Sequence, residues 1–145
     1  MSRNYTKKIL ENTYLDKRVN ATVANYSLIN NLSKSYNFEY YFILQPTAYT
    51  WEHFRNSEIS YLYQRIFSDS VFKNREIFQN HYYKLIEEKL RFDPFFLDLT
   101  NTFDNETRTV FVDHIHYNDL GAEILARNIT KSILPILDKK RKKDF

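Results

Sequence analysis

Apolar residues recur at helical spacing over long stretches of this chain. From Asp16 an apolar residue returns every three or four positions, and this pattern predicts an amphipathic helix that ends near residues 35–37. The same spacing predicts a helix over residues 71–90, which Asp69 or Ser70 can cap. Both patterns are typical of helices that pack one face against a core.

Two further helices bring the predicted number to about four. Ser57 can cap a short helix that continues to about Phe67. The last helix is predicted from about Asp119 into Leu137, because apolar residues again return every three or four positions. Pro135 lies within that pattern, and we expect it to bend or end the helix, since proline lacks the backbone N–H that a helix interior needs.

Continuous apolar runs between the helical segments predict strands. Residues 38–44 are almost all aromatic or aliphatic and are ended by Gln45-Pro46, which is typical of a strand buried on both faces. Residues 95–99 predict a second strand, and the β-branched and aromatic residues 107–112 predict a third. Helices that alternate with buried strands indicate an α/β fold, with a parallel sheet of two or three strands flanked by helices.

A polar loop between the last β-type run and the last helix carries the most concentrated chemistry of the chain. Asp113 and His116 stand three residues apart in it. At that spacing the carboxylate can accept a hydrogen bond from one imidazole nitrogen and leave the other nitrogen as a base. These residues would form two thirds of a Ser-His-Asp triad. The alternative is a surface or capping histidine beside a carboxylate that binds nearby amides.

The residues around this pair resemble a known family. Asp113 and His116, followed by Gly121 and by Leu125-Ala126, are similar to the last conserved block of the SGNH/GDSL hydrolases. Upstream, the run YYFILQP from Tyr40 to Pro46 resembles the strand ending in Leu-Gln-Pro that many members carry. The resemblance covers roughly the carboxy-terminal half to two thirds of such a domain.

The resemblance implies a partial three-layer α/β/α sandwich of the flavodoxin-like kind and serine-dependent hydrolysis of an ester. The substrate class would be an ester-containing small molecule, a lipid or an acylated sugar, with no metal or other cofactor. His116 would be the catalytic base and Asp113 the residue that orients it. The family's Gly-Asp-Ser nucleophile turn and its oxyanion blocks require glycines, and Gly121 is the only glycine of this chain. We therefore expect this chain to be the carboxy-terminal part of an esterase, inactive by itself.

Other residues near these motifs have candidate roles. Gln45 and Thr47 follow the end of a predicted strand, where open α/β sheets bind ligands, and we predict that they contact substrate. Gly121 either lets the last helix approach a nucleophile turn or serves ordinary packing of a helix against a strand. Asn118 and Asp119 compete as the cap of that helix.

Two other functions remain open from the sequence. His114 and His116 form a His-x-His pair that could bind a metal with Asp119 nearby, although the segment departs from the metallo-β-lactamase pattern His-x-His-x-Asp-His at its last two positions. Alternatively the chain is a non-catalytic remnant or interaction module. Its unpaired strand edges would then favour self-association.

Composition narrows the class of partner. Five of the 21 basic residues lie in Lys139–Lys143, and the other 16 are outnumbered by 18 acidic residues, so the net charge of +3 gives no basis for predicting a nucleic-acid partner.

We predict one domain over residues 1–138 and a basic tail over 139–145. The chain has no cysteine and no apolar run of the roughly 20 residues that a membrane span needs, and we do not expect residues 1–8 to open a signal peptide, so its localisation stays open.

Overall fold

A computed structural model of the protein describes residues 12–51, 53, 61 and 69–141. Its elements, in chain order, are α1 (Asn12–Tyr36), β1 (Phe42–Leu44), α2 (Asp69–Leu90), β2 (Phe96–Asp98) and α3 (Asp119–Arg141). Helices and strands alternate, so the predicted α/β class is confirmed. The described residues form three helices rather than about four, and the helix predicted over 57–67 lies, apart from Tyr61, outside them.

The two strands form a parallel pair. Phe42 lies opposite Phe96 in the register, and Leu44 lies opposite Asp98. The strand predicted over residues 38–44 is therefore too long, because pairing begins only where the Phe42 N–H donates to the Phe95 carbonyl at 2.8 Å. Phe38, at the start of the predicted strand, is 44% exposed. An apolar run forms a strand only as far as a partner supplies ladder hydrogen bonds.

Helix α1 ends where the sequence predicts, and local chemistry explains the end. Asn37 adopts a positive φ of 54°, and the N–H of Phe38 donates to the carbonyl of Ser33 at 3.2 Å. A residue in the left-handed region followed by this backward hydrogen bond is a common helix terminator, and asparagine tolerates that conformation better than most residues.

The first compact unit contains Met1–Leu44 and Leu62–Asp98, and its described part has one hydrophobic core. Helices α1 and α2 pack together in it. The buried residues of this core are Leu15, Val19, Tyr26, Leu44, Ile86, Leu90 and Phe96. The apolar stripe of α1 is only partly covered, because Leu32 and Tyr36 near its carboxyl end are 39% and 74% exposed.

The second compact unit contains Gln45–Tyr61 and Leu99–Phe145, and aromatic residues dominate its described core. Phe103 and Phe111 are fully buried, with ring centroids 5.3 Å apart in an edge-on arrangement. Trp51 packs against Phe111 and donates its indole N–H to the carbonyl of Glu106 at 2.8 Å. The indole is thus buried with its polar atom satisfied, which burial of a tryptophan normally requires.

The structure contradicts the third strand predicted in this unit, and of the two effects expected of Pro135, a bend or an end of the helix, it contradicts the end. Residues 107–112 form no strand, and only Phe111 makes an isolated antiparallel bridge, with Tyr117. The segment closes on its own downstream residues and not on a neighbouring strand. Pro135 does not end the last helix, since α3 continues to Arg141. Ile133 and Ile136, both partly buried, keep their helical spacing across the proline.

None of the described helices is both long and apolar enough to cross a membrane.

Truncation of the first core should be costly only where the side chain is buried. Ile86 is fully buried and Ile77, on the same helix, is 39% exposed. We expect Ile86→Ala to lower the free energy of unfolding by about 2–5 kcal/mol, because it removes apolar contacts and leaves a cavity. Ile77→Ala, the matched control, should cost less than about 1 kcal/mol. Urea denaturation measures both values, and equal losses would contradict the described packing.

Candidate active site

The candidate site lies on a short loop, Phe111–Tyr117, here called the dyad loop. Phe111 and Tyr117 pair across its base as an antiparallel bridge. Within that frame the N–H of Val112 donates to the carbonyl of His116 at 2.9 Å. One step outside it, the N–H of Asn118 donates to the carbonyl of Val110 at 3.0 Å. Both ends of the loop are therefore held together by backbone hydrogen bonds.

The structure brings the two predicted catalytic residues together on this loop. His116 Nδ1 lies 2.6 Å from Asp113 Oδ2. The other carboxylate oxygen, Oδ1, accepts hydrogen bonds from the amides of Ile115 at 2.8 Å and His116 at 2.7 Å. Each oxygen of Asp113 thus has a separate task, because one orients the imidazole and the other fixes the turn that presents it.

These contacts set the protonation of the carboxyl group. Burial by itself would raise the pKa of Asp113, but the hydrogen bond from the His116 ring and those from the amides of Ile115 and His116 outweigh it, and the pKa is lowered to about 2. Near neutral pH the group is ionised and can only accept hydrogen bonds. The proton of the 2.6 Å hydrogen bond must therefore be on Nδ1 of His116.

A neutral His116 held in this tautomer has its free lone pair on Nε2. Its side chain is 68% exposed, whereas that of Asp113 is 34% exposed. The arrangement can therefore accept a proton from an external group at Nε2 while the carboxylate stabilises the imidazolium that forms. It is the geometry of a base with its orienting carboxylate.

Gly121 explains how the start of α3 reaches this loop. A Cβ atom at this position would lie 2.2 Å from the carbonyl oxygen of Val110 and 3.2 Å from Cβ of Tyr117. Two roles were expected for this glycine, approach to a nucleophile turn or ordinary packing. The contact in the structure is of the packing kind, since the start of α3 lies against the segment that precedes the dyad loop. The missing side chain allows backbone to approach backbone.

Asn118 is the amino-terminal cap of α3, which resolves its competition with Asp119. Its Oδ1 accepts a hydrogen bond from the Gly121 amide at 2.9 Å, as an N-cap side chain does. Its Nδ2 donates to the carbonyl of Thr109 at 2.7 Å. One side chain thus caps the helix and joins it to the segment that precedes the dyad loop, and Asp119 is the first helical residue.

The predicted substrate contacts lie on a segment that packs against the dyad loop. Gln45 is exposed, whereas Thr47 is only 2% exposed. The hydroxyl of Thr47 is buried without a hydrogen-bond partner in the described part of the chain. Its amide donates to the hydroxyl of Thr50 at 3.0 Å, within a turn. Gln45 is thus accessible to a ligand and Thr47 is enclosed, and contact of either residue with substrate stays a prediction.

His114, the other member of the His-x-His pair, faces a different environment. Its ring lies 5.9 Å from the ring of Tyr49, and its carbonyl accepts a hydrogen bond from the Ala48 amide at 3.0 Å. Across residues 12–51 and 69–141, together with 53 and 61, no group of three or more His, Cys, Asp or Glu side chains could hold a metal ion.

The residues that hold the dyad loop in place are not among those predicted from the sequence. The hydroxyl of Tyr117 donates to the carbonyl of Pro46 at 2.5 Å, and its ring packs against Phe103 and Phe111. A signal was present, because Tyr117 is an aromatic residue between the polar His116 and Asn118. Neighbouring side chains of an extended segment point to opposite sides, so an inward tyrosine beside an outward histidine was predictable.

Comparison of the chain with protein-family models, with curated proteins and with solved structures finds no match. The geometry of the dyad loop and of the residues that support it is therefore the basis on which we infer a function.

Substitution of the glycine tests the close approach of α3. In Gly121→Ala the gain in helix propensity is at most about 1 kcal/mol. The new methyl group would overlap a backbone carbonyl that Asn118 already holds, and overpacking of this kind costs about 1–3 kcal/mol or more. We expect a net loss in the free energy of unfolding, measured by urea denaturation. Ala122→Gly, at the exposed neighbouring position, reports the propensity term alone, and a stabilised Gly121→Ala would contradict the contact.

The titration of Asp113 tests the dyad, which is the hydrogen-bonded pair of Asp113 and His116. Its carboxyl carbon should titrate near pH 2 by NMR and not near the ordinary value of 3.8. Because the folded pKa is depressed, the stabilisation is fully present above pH 3.8 and is lost as the pH falls through about 2. In His116→Ala the midpoint should rise, since the hydrogen bond from the His116 ring no longer helps to offset the effect of burial. His114→Ala is the matched control and should leave it unchanged. A wild-type midpoint at 3.8 would rule out the dyad.

Proposed function

We propose that this chain supplies the catalytic base and its orienting carboxylate to a serine-dependent ester hydrolase of the SGNH/GDSL type. The single observation that carries the proposal is the contact of 2.6 Å between His116 Nδ1 and Asp113 Oδ2, on a carboxylate that two backbone amides also hold. A histidine with one nitrogen bound to a carboxylate and the other available is the arrangement that activates a serine hydroxyl in acyl transfer.

The chemistry follows from the two imidazole nitrogens. Nε2 of His116 removes the proton of a serine hydroxyl as that oxygen attacks the acyl carbon of an ester. Nδ1 stays bound to Asp113, which stabilises the imidazolium, and Nε2 then returns the proton to the leaving alcohol. The second half-reaction repeats these steps with water in place of serine, which releases the acid and restores the enzyme.

The serine and the oxyanion donors would come from residues that this sequence does not contain. Oxyanion donors account for a large part of the rate in acyl transfer, so the base and carboxylate alone would support little hydrolysis. In this proposal the two parallel strands and three described helices belong to a larger three-layer α/β/α sandwich. The substrate is an ester-containing small molecule, a lipid or an acylated sugar, and the exposed Gln45 is its candidate contact on this chain.

The order of the segments along the chain supports the proposal. The Leu-Gln-Pro run precedes the Asp-x-x-His block, as it does in the family that both resemble. In the structure Pro46, the last residue of that run, accepts a hydrogen bond from Tyr117 of the dyad loop, and the amide of Ala48, two residues later, donates to the carbonyl of His114. The end of the first block, at Pro46, thus contacts the second block within the second compact unit.

Fluorophosphonate labelling, which modifies an activated serine, tests the proposal. The protein to use is the one translated from an extended reading frame that includes the coding sequence upstream of Met1. We expect an in-frame Gly-Asp-Ser block there and labelling of its serine. Labelling should fall by at least about 10³-fold in His116→Ala, because loss of a triad base is among the costliest changes in such enzymes. His114→Ala, on the same loop, is the matched control and should label normally.

Three outcomes would contradict the proposal. Labelling of a serine within this chain alone would show that the nucleophile is not missing. Labelling that survives His116→Ala would remove the base from the mechanism. An upstream sequence without a nucleophile block, together with oligomers in solution, would instead support the non-catalytic interaction module.

A further inference from the structure

His116 and Tyr117 are adjacent in sequence but occupy opposite sides of the dyad loop. The side chain of His116 is 68% exposed, whereas Tyr117 is partly buried and contacts the aromatic core. Its ring centroid lies 5.2 Å from that of Phe111 and 5.7 Å from that of fully buried Phe103. Tyr117, which follows His116, is therefore the residue through which the dyad loop packs against the aromatic core.

The hydroxyl of Tyr117 binds an acceptor that cannot easily move. It donates to the carbonyl of Pro46 at 2.5 Å, and Pro46 is fully buried. The segment after Pro46 is fixed as a turn, because the amide of Thr50 donates to the carbonyl of Thr47 at 3.0 Å. Because this acceptor is held in place, the hydrogen bond from Tyr117 fixes the position of the dyad loop relative to the aromatic core.

A second hydrogen bond joins the same two segments on the other side of His116. The amide of Ala48 donates to the carbonyl of His114 at 3.0 Å. The backbone of His116 is thus bracketed by two attachments to the segment Pro46–Ala48, one at His114 and one at Tyr117. Of these two attachments, only the one at Tyr117 is made by a side chain and can be removed without a change in the backbone.

We propose that Tyr117 is a positioning residue for His116, and that its hydroxyl bond to Pro46 holds the dyad loop in the conformation in which Asp113 binds Nδ1. The functional meaning of this role rests on the proposed function. Tyr117 touches no reacting atom in the mechanism. It acts through the backbone of the residue beside it.

Removal of the hydroxyl should loosen the dyad while the ring keeps its place in the core. In Tyr117→Phe the ring contacts with Phe103 and Phe111 remain, and the hydrogen bond to Pro46 is lost. A hydrogen bond of this kind changes a local equilibrium by roughly threefold to tenfold. We therefore expect the Nδ1 proton of His116 to exchange with solvent roughly threefold to tenfold faster, and its ¹⁵N shifts to move toward a mixture of tautomers.

The experiment is ¹⁵N NMR of the histidine rings in the full chain at constant pH and temperature. Tyr82→Phe is the matched control, because it also deletes a partly buried tyrosine hydroxyl, one that bonds to Thr22 at 2.6 Å in the first compact unit. Tyr82→Phe should lower stability without moving the His116 signals. Equal effects of the two variants on those signals, or no effect of Tyr117→Phe, would overturn the positioning role.

A second variant covers the case in which Tyr117→Phe fails to fold. Replacement of Tyr117 by para-aminophenylalanine keeps an N–H donor at the same place on the ring, and we expect it to retain the wild-type exchange rate and tautomer. A folded para-amino variant with a mixed tautomer would overturn the inference.

Asp113→Asn separates this inference from the proposed function. If that change leaves the wild-type Nδ1 signal unaltered, the dyad does not exist and the proposed function fails. If Asp113→Asn abolishes the signal and Tyr117→Phe does not affect it, the dyad stands and only the positioning role fails.

Discussion

The candidate site depends on the close approach of the Gly121 backbone to the carbonyl of Val110. No residue with a side chain could occupy this position unless the two backbones moved apart, since a Cβ atom would lie 2.2 Å from the oxygen. The approach allows Asn118 to cap α3 and, at the same time, to bond to Thr109 and Val110. The dyad loop is closed at its base because these segments are so near.

Within this frame the dyad depends on hydrogen bonds between residues that are close in sequence. Asp113 bonds to residues two and three positions ahead, so its carboxylate shapes the turn and orients the ring of His116 together. The hydrogen bonds that order the loop are also those that keep the carboxyl group ionised, because each donor favours the charged form over the neutral one. The same hydrogen bonds therefore determine both the conformation of the loop and the ionisation of the Asp113 carboxyl group.

The support of the dyad comes from residues far away in sequence. Tyr117 reaches Pro46 over a separation of 71 residues, and Trp51 reaches Glu106 over 55. These two bonds and the aromatic contacts around Phe111 join the segment after β1 to the segment before α3. Pro46, at the end of the Leu-Gln-Pro run, supplies the carbonyl that binds Tyr117, and Ala48, two residues later, supplies the amide that binds the carbonyl of His114.

The sequence by itself determined the features that depend on neighbours along the chain. The apolar spacing of α1, α2 and α3 predicted three helices close to their observed bounds, and the Asp-x-x-His spacing predicted the Asp113–His116 contact. Periodicity and three-residue spacing act within one or two turns of chain, so no distant partner is needed for either.

Only the tertiary structure decided which apolar runs became strands. Residues 38–41 and 107–112 have strand-like composition, yet β1 begins at Phe42 where β2 meets it, and Phe111 pairs only with Tyr117. A ladder hydrogen bond requires a second backbone, and composition carries no information on where that backbone lies. The same reason explains why the sequence does not predict the contact of Tyr117 with Pro46, since the carbonyl that its hydroxyl binds lies 71 residues away.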